Sequence, residues 1–188
     1  MKKQLDTERK LYTLVILVQD VPGVLSPVAR LFSRKGYNLE SIVSGETDRP
    51  GITRITISIL ADQSMIEQIA AQCRKILSVL AVKILEEETS IRQENAFIKV
   101  RAMSRTERDE VIQLANIFHA KVIDVDKTAL TIYVFGSPDK ITALIRMLED
   151  FGILEIAKTG TIAIERGSCT IYDNNKLREE YNYGKNVL

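Results

Sequence analysis

Apolar residues in this chain fall at two spacings, period two and period 3.6, and the order in which they alternate repeats once. Leu11–Gln19 (LYTLVILVQ) is a dense apolar, β-branched run, the pattern of a buried central strand. After Pro22-Gly23, residues Val24, Leu25, Val28, Leu31 and Phe32 sit at helical spacing, and Gly36 is the expected residue just past that helix. Leu39–Thr47 predicts a second strand. In a third, Ile55, Ile57 and Ile59 alternate with Arg54, Thr56 and Ser58, one face buried and one wet. Ile66, Ile69, Cys73 and Ile76 form the stripe of a second helix, and a fourth strand covers about Val79–Leu85.

Three adjacent carboxylates, Glu86-Glu87-Glu88, and the polar residues after them read as a linker, because like charges repel and gain nothing from burial. The pattern then restarts. Ala96, Ile98, Val100 and Ala102 alternate, and Thr106–Phe118 is helical with Val111, Leu114, Ala115 and Phe118 on one side. Short strands at Lys121–Val125 and Ala129–Phe135 turn at Asp126-Lys127. A helix carries Ile141, Leu144, Ile145 and Leu148, and a last strand spans roughly Ile153–Ile164. Element order repeats, while residue identity does not. The expected architecture is α+β: two ferredoxin-like βαββαβ domains in tandem, roughly 70–80 residues each, with helices on one face of each sheet. The boundaries are a charged extension 1–10, a first domain 11–86, a linker 87–94, a second domain 95–166 and a polar tail 167–188. The tail holds Tyr172, Tyr181 and Tyr183; a frayed end is favoured over an arm that docks on a partner.

Composition narrows the chemistry. The chain has 188 residues, with 26 Lys plus Arg against 25 Asp plus Glu, so 26 − 25 gives +1, which removes the main argument for a nucleic-acid binder. No apolar run reaches the ~18 residues of a membrane span. MKKQLDTERK lacks the apolar core of a signal peptide, and the two cysteines, Cys73 and Cys169, form no disulfide framework. A cytoplasmic protein with free thiols is expected. With a single His, no ligand spacing for zinc exists, and GxSxG, GxGxxG and GxxxxGK[ST] are absent. A chain with its own active site is the less favoured class, and no catalytic or metal-binding residue is assigned. His119 reads as a helix C-terminal residue, Cys73 as core, and Arg54, Lys99 and Arg101 as solvated strand residues.

The informative stretch is Gln19–Ser41, QDVPGVLSPVARLFSRKGYNLES. Asp20 ends the first strand and can accept hydrogen bonds from free N–H groups at the helix start. Pro22 fixes the turn, and Gly23 removes a side chain where something could approach the backbone. The helix N-terminus behind them is a seat for a carboxylate or phosphate. Pro27 lacks an N–H, so either the helix begins late or its first turn lacks one bond. On spacing alone, a plain turn and a loop Asn at Asn38 is the favoured reading.

The pattern Asp-x-Pro-Gly-Val-Leu followed by Leu-Phe-Ser-Arg-Lys-Gly-Tyr-Asn-Leu-Glu-Ser resembles the ACT domain of the regulatory, small subunit of acetolactate synthase. Thr47-Asp48-Arg49-Pro50, Thr53–Ile57, Phe97–Val100, Ile117–Val125 and Thr159-Gly160…Glu165-Arg166-Gly167 extend the resemblance over roughly residues 10 to 168. It implies a non-catalytic subunit that activates the catalytic subunit and confers feedback inhibition by branched-chain amino acids, valine foremost. The catalytic subunit would hold thiamine diphosphate, magnesium and flavin (FAD). ACT units of this kind pair side by side into a homodimer with the amino acid at the interface. By this resemblance Asp20, Pro22, Gly23, Val24 and Leu25 line the ligand's polar end, and Asn38 and Leu39 of the facing protomer close the site. The family often has Asn where this chain has Asp20; a carboxylate there can hold the ligand's ammonium but repels its carboxylate.

Three rivals differ in chemistry. An acylphosphatase-like phosphate loop would suffer about 1 kcal/mol or more of repulsion from Asp20 at contact distance. An RNA-binding unit needs exposed aromatics on its central strands, and Arg54–Ser58 offers none. A free-standing ACT-type sensor of another enzyme shares the ligand site, and only the second domain argues against it.

Overall fold

The computed structural model describes residues 9–173, apart from the side chain of Lys35. Within that span the chain forms two compact units: one is made of the residues up to Ile91 together with the segment from Ala163, the other of Arg92–Ile162. Tyr181 and Tyr183 of the tail and residues 1–8 of the N-terminal extension lie outside the described residues.

In the first unit, β1 (Lys10–Gln19) lies between β3 (Ile52–Ala61) and β4 (Val79–Leu85) and is antiparallel to both; β2 (Leu39–Glu46) pairs with β3 at the edge, giving the order β2-β3-β1-β4. Helix α1 (Leu25–Lys35) connects β1 to β2, and α2 (Gln63–Cys73) connects β3 to β4. Alternate residues of β1 and β3, among them Leu14, Ile16, Ile55 and Ile57, meet Val28 and Phe32 of α1 and Ile66, Ile69 and Cys73 of α2 in one apolar cluster. Gly36 ends α1 at φ +68, its N–H donating to the Phe32 and Ser33 carbonyls, a cap that a side chain would strain. Asp62 caps α2 by accepting from the Met65 N–H at 2.8 Å.

The opposite face of this sheet departs from the alternation argument. Val15 and Leu17 form a second apolar cluster with Ile52, Ala81 and Leu85, and Ala163 and Ile171, from the far end of the chain, complete it. The face of β3 expected to be wet is instead dry: Thr56 and Ser58 are 3% and 2% exposed. Arg54, read as solvated, is half-buried and donates to the Ala163 carbonyl. Alternation shows which residues share a face; it carries no information about a segment more than a hundred positions away that covers it. Residues 167–173 are accordingly not a frayed end, since Ile171 is buried.

The second unit repeats the order with β5 (Ser90–Arg101), α3 (Arg105–Ile117), β6 (Lys121–Val125), β7 (Ala129–Gly136), α4 (Pro138–Leu148), a single 3-10 turn (Glu149–Phe151) and β8 (Ile153–Lys158). Its sheet runs β6-β7-β5-β8, and β9 (Ile162–Glu165) also pairs with β5. Ala96, Ile98 and Val100 of β5 pack with Val111 and Ala115 of α3 and with Ile141, Leu144 and Leu148 of α4. The expected single strand Ile153–Ile164 is therefore two, broken where Gly160 takes φ +79. The segment read as linker also begins its strand early, at Ser90. Glu94 is only 6% exposed because its carboxylate accepts from Thr161 Oγ1 at 2.6 Å and lies 3.0 Å from Lys158 Nζ. A charged residue satisfied in this way looks like loop in the sequence.

Candidate functional site

β1 delivers the chain to the loop Asp20–Val24, and every bond that shapes the loop can be traced. Gln19 N–H donates to the Ser78 carbonyl at 2.9 Å and Asp20 N–H to the Gly51 carbonyl at 2.8 Å, which fixes the strand end to two neighbouring turns. Val21 N–H donates to Gln19 O, and Val24 N–H to Val21 O at 3.2 Å, closing a tight turn over Pro22-Gly23. Gly23 has φ +81, and a Cβ built there meets nothing within 4 Å. The demand for glycine inside the chain is therefore conformational, and the space in front of its backbone is open.

Asp20 does not cap α1 as expected. The helix N-cap is Val24, in αR conformation and with no side-chain bond, and no acidic residue stands in the first turn. The Asp20 carboxylate turns the other way and accepts from Thr53 Oγ1 at 3.0 Å. α1 starts at Leu25, so Pro27 is its third residue, where the helix leaves an N–H without an internal partner in any case. This resolves the Pro27 alternative: the helix begins early and loses no bond. Ser26 N–H is spent on the Gly23 carbonyl at 3.0 Å. The helix start is thus a positive dipole end with no carboxylate of its own, flanked by the exposed side chains of Val21 and Leu25, both 43% exposed. Such a site can receive a small molecule with an anionic end and an apolar side chain.

Asn38 is exposed and Leu39 half-buried, both just past the opposite end of α1. Eleven helical residues span about 16 Å. The fold therefore brings Asp20, Pro22, Gly23, Val24 and Leu25 together and holds Asn38 and Leu39 away from them within one chain. Leu39 opens β2, an edge strand whose pairing to β3 shifts register between Leu39 and Ser41. Sequence reasoning missed the β2–β3 turn, Thr47–Gly51, as part of this region. There Thr47 Oγ1 accepts from the Arg49 N–H at 3.1 Å and donates to the Ile52 carbonyl at 3.0 Å, and Gly51 takes φ +77. Its Thr-Asp-x-Pro-Gly composition was the available signal.

Among the remaining candidates, Cys73 is fully buried and burial pushes its thiol up to about 12, so it is core. Lys99 is paired with Glu155 at 3.3 Å on the surface. His119 adopts φ +50 beyond the end of α3, its N–H donating to Asn116 O at 3.0 Å, the left-handed residue that terminates a helix. Among the described residues no group of three or more His, Cys, Asp or Glu could hold a metal ion, and no helix is long and apolar enough to cross a membrane.

Two family models match successive parts of the chain: an AHAS small subunit-like ACT domain over residues 14–81, and the small subunit of acetolactate synthase over residues 93–167. A probable acetolactate synthase small subunit of Methanothermobacter thermautotrophicus is 42% identical over 167 residues, 89% of this chain and 99% of the relative. This chain belongs to the acetolactate synthase small-subunit family. The Mycolicibacterium smegmatis small subunit is 44% identical over 156 residues, 83% of this chain and 91% of its own. The crystal structure of the Thermotoga maritima small subunit superposes with a TM-score of 0.77 at 36% identity, covering 85% of this chain and 99% of that one. Asp20–Leu25, Asn38 and Leu39 all lie inside the segment matched as an ACT domain.

Proposed function

We propose that this chain is a non-catalytic regulatory subunit that binds the acetolactate synthase catalytic subunit in the cytoplasm, raises its activity and makes it sensitive to branched-chain amino acids, L-valine foremost. The observation that carries the reading is the pairing of an ACT domain with a second domain matched to acetolactate synthase small subunits in one chain. The amino acid's carboxylate would meet the open backbone at Gly23 and the α1 dipole, and Asp20 would face its ammonium. The ~16 Å between the two ends of α1 is the reason to place Asn38 and Leu39 of a second protomer at the same ligand. Two copies joined along the β2 side would form that site and pair an edge that otherwise leaves N–H and C=O groups open. Thiamine diphosphate, magnesium and FAD belong in this reading to the catalytic subunit.

Reconstitution tests it. Acetolactate formation by the catalytic subunit is measured with and without this chain, and then with each of valine, leucine and isoleucine. Stimulation by the chain, reversed by at least one of the three, is the expected result. A rate indifferent to the chain removes the regulatory reading, and stimulation that no amino acid reverses removes the feedback.

A further inference from the structure

The segment Ala163–Asp173 lies as a strap on the outer face of the first unit's sheet. Ala163 and Ile171 fill the apolar cluster around Val15 and Leu17. Its other holds are polar. Lys83 Nζ stands 2.5 Å from Glu165 Oε2 and donates to the Thr170 carbonyl at 3.0 Å, while Arg166 N–H donates to the Thr89 carbonyl at 2.8 Å. At the far end Tyr172 rests on the β2–β3 turn: the Arg49 guanidinium carbon is 3.7 Å from the centre of its ring, and its hydroxyl donates to Asp48 Oδ1 at 3.4 Å. Beyond β9 the strap has no strand ladder, and Gly167–Thr170 are exposed. A segment that, beyond its short strand, is held by two apolar anchors and by polar contacts that are half-buried or exposed opens at a lower free energy than the sheet beneath it.

The same turn is gripped from its other side by the candidate loop. The Gly51 carbonyl takes the Asp20 N–H, and Thr53, two residues on, donates to the Asp20 carboxylate. Asp48 and Arg49 on one flank and Gly51 and Thr53 on the other thus belong to one short hairpin end, itself braced by the Thr47 hydroxyl. We propose that docking of the strap and occupancy of the Asp20–Leu25 loop are coupled through this turn, so that the strap registers whether an amino acid is bound. The inference rests on the reading of that loop as the effector site. An ammonium drawn to Asp20 restrains the residue that holds Gly51 and Thr53. A restrained turn gives Tyr172 a fixed cation to lie on. Coupling of this kind is reciprocal: whatever the ligand adds to strap docking, the docked strap adds to ligand affinity. Tyr172 and Arg49 are then positioning residues that never touch the ligand.

The full-length chain, without the catalytic subunit, is the sample. Amide hydrogen exchange across residues 163–173 is followed with and without saturating L-valine, L-leucine or L-isoleucine. Calorimetry gives the affinity for the wild type, Tyr172→Ala, Tyr172→Phe and Arg49→Ala. Bound amino acid is expected to slow exchange in the strap. Tyr172→Ala and Arg49→Ala should bind about two- to fivefold more weakly, the range a surface cation–π contact supplies, whereas Tyr172→Phe, which keeps the ring, should bind like wild type. Arg49→Ala removes the contact from the turn side, so the test survives a Tyr172→Ala chain that does not fold. Strap exchange unchanged at saturation, or wild-type affinity in the alanine variants that fold, overturns the coupling and leaves the effector reading standing. A wild-type chain that binds none of the three amino acids overturns the effector reading, and the coupling with it.

Discussion

Single residues set what the proposed effector loop could bind. Gly23 occupies φ +81 in front of open space, so a side chain there costs backbone strain, about 1–2 kcal/mol, without clashing inside the chain. Gly23→Ala isolates that strain, and Gly23→Asp adds a negative charge where a ligand carboxylate would sit. Gly23→Asp is expected to weaken branched-chain amino acid binding by about 30- to 150-fold, the equivalent of 2–3 kcal/mol, with Gly23→Ala far milder. Asn38→Ala should act in the same direction by about tenfold, losing hydrogen bonds without gaining repulsion. Calorimetry on the isolated chain and inhibition of the reconstituted enzyme check both; wild-type binding in Gly23→Asp and Asn38→Ala places the ligand elsewhere. Gly23 was legible as a turn residue because Pro22-Gly23 is local backbone chemistry, and the structure places it at φ +81; spacing alone made Asn38 only a loop residue, and its proposed role comes from the family resemblance. The partner of Asp20 was not, because Thr53 is 33 positions away and nothing local to Asp20 distinguishes a helix cap from a cross-strand bond. Arg54 was misread for the same reason. Burial beneath the strap lowers its pKa from the ordinary value, against the opposing pull of Tyr172 and Glu165, and none of these neighbours is near it in sequence.

At the scale of elements, hydrophobic period carried most of the fold. β1, α1, α2 and β4 fall where the apolar spacing places them, because α1 and α2 each bury one stripe against the helix-side core while β1 and β4 contribute residues to the apolar clusters on both faces of the sheet. Starts and breaks were less visible. α3 begins at Arg105 because Ser104 caps it: the Ser104 hydroxyl accepts from the Glu107 N–H at 3.1 Å and the Glu107 carboxylate accepts from the Ser104 N–H at 2.9 Å. Ser104→Ala should cost about 1 kcal/mol, read as a lower denaturant midpoint. Those N–H bonds, first from Ser104 and then from Met103, hold the Glu107 carboxyl below its ordinary 4.5. A depressed folded pKa means that its contribution is whole above about pH 4.5 and is lost as pH falls through the folded value. In Glu107→Gln that part of the acid sensitivity should vanish, and a midpoint-against-pH curve parallel to wild type below pH 4.5 would contradict it. The β8–β9 break escaped notice because Thr159-Gly160-Thr161 is short and lies between two runs of strand-like alternation, Ile153–Lys158 and Ile162–Glu165, whereas the structure needs Gly160 at positive φ to turn there.

For the whole molecule, the two-sheet α+β plan was legible because the order of periodicities repeats. How many copies work together depends on surfaces instead. β2 is an edge strand, and Ile42 on it is 44% exposed, so sedimentation at micromolar concentration should give a dimer that Ile42→Lys weakens toward monomer; a wild-type monomer would count against the proposed two-protomer site. The strap has one more consequence, and it concerns biosynthesis. Leu17 and Ile171 share a cluster although 171 − 17 = 154 positions separate them. The first unit's helix-side core can close once α2 and β4 have left the ribosome, but its outer face stays bare until almost the whole described chain has been made. Nascent chains thus carry an apolar sheet surface from the completion of β4 at Leu85 until the segment Ala163–Ile171 emerges, a liability that contacts so remote in sequence impose. A messenger truncated anywhere in the second domain would yield a first domain that never sheds it.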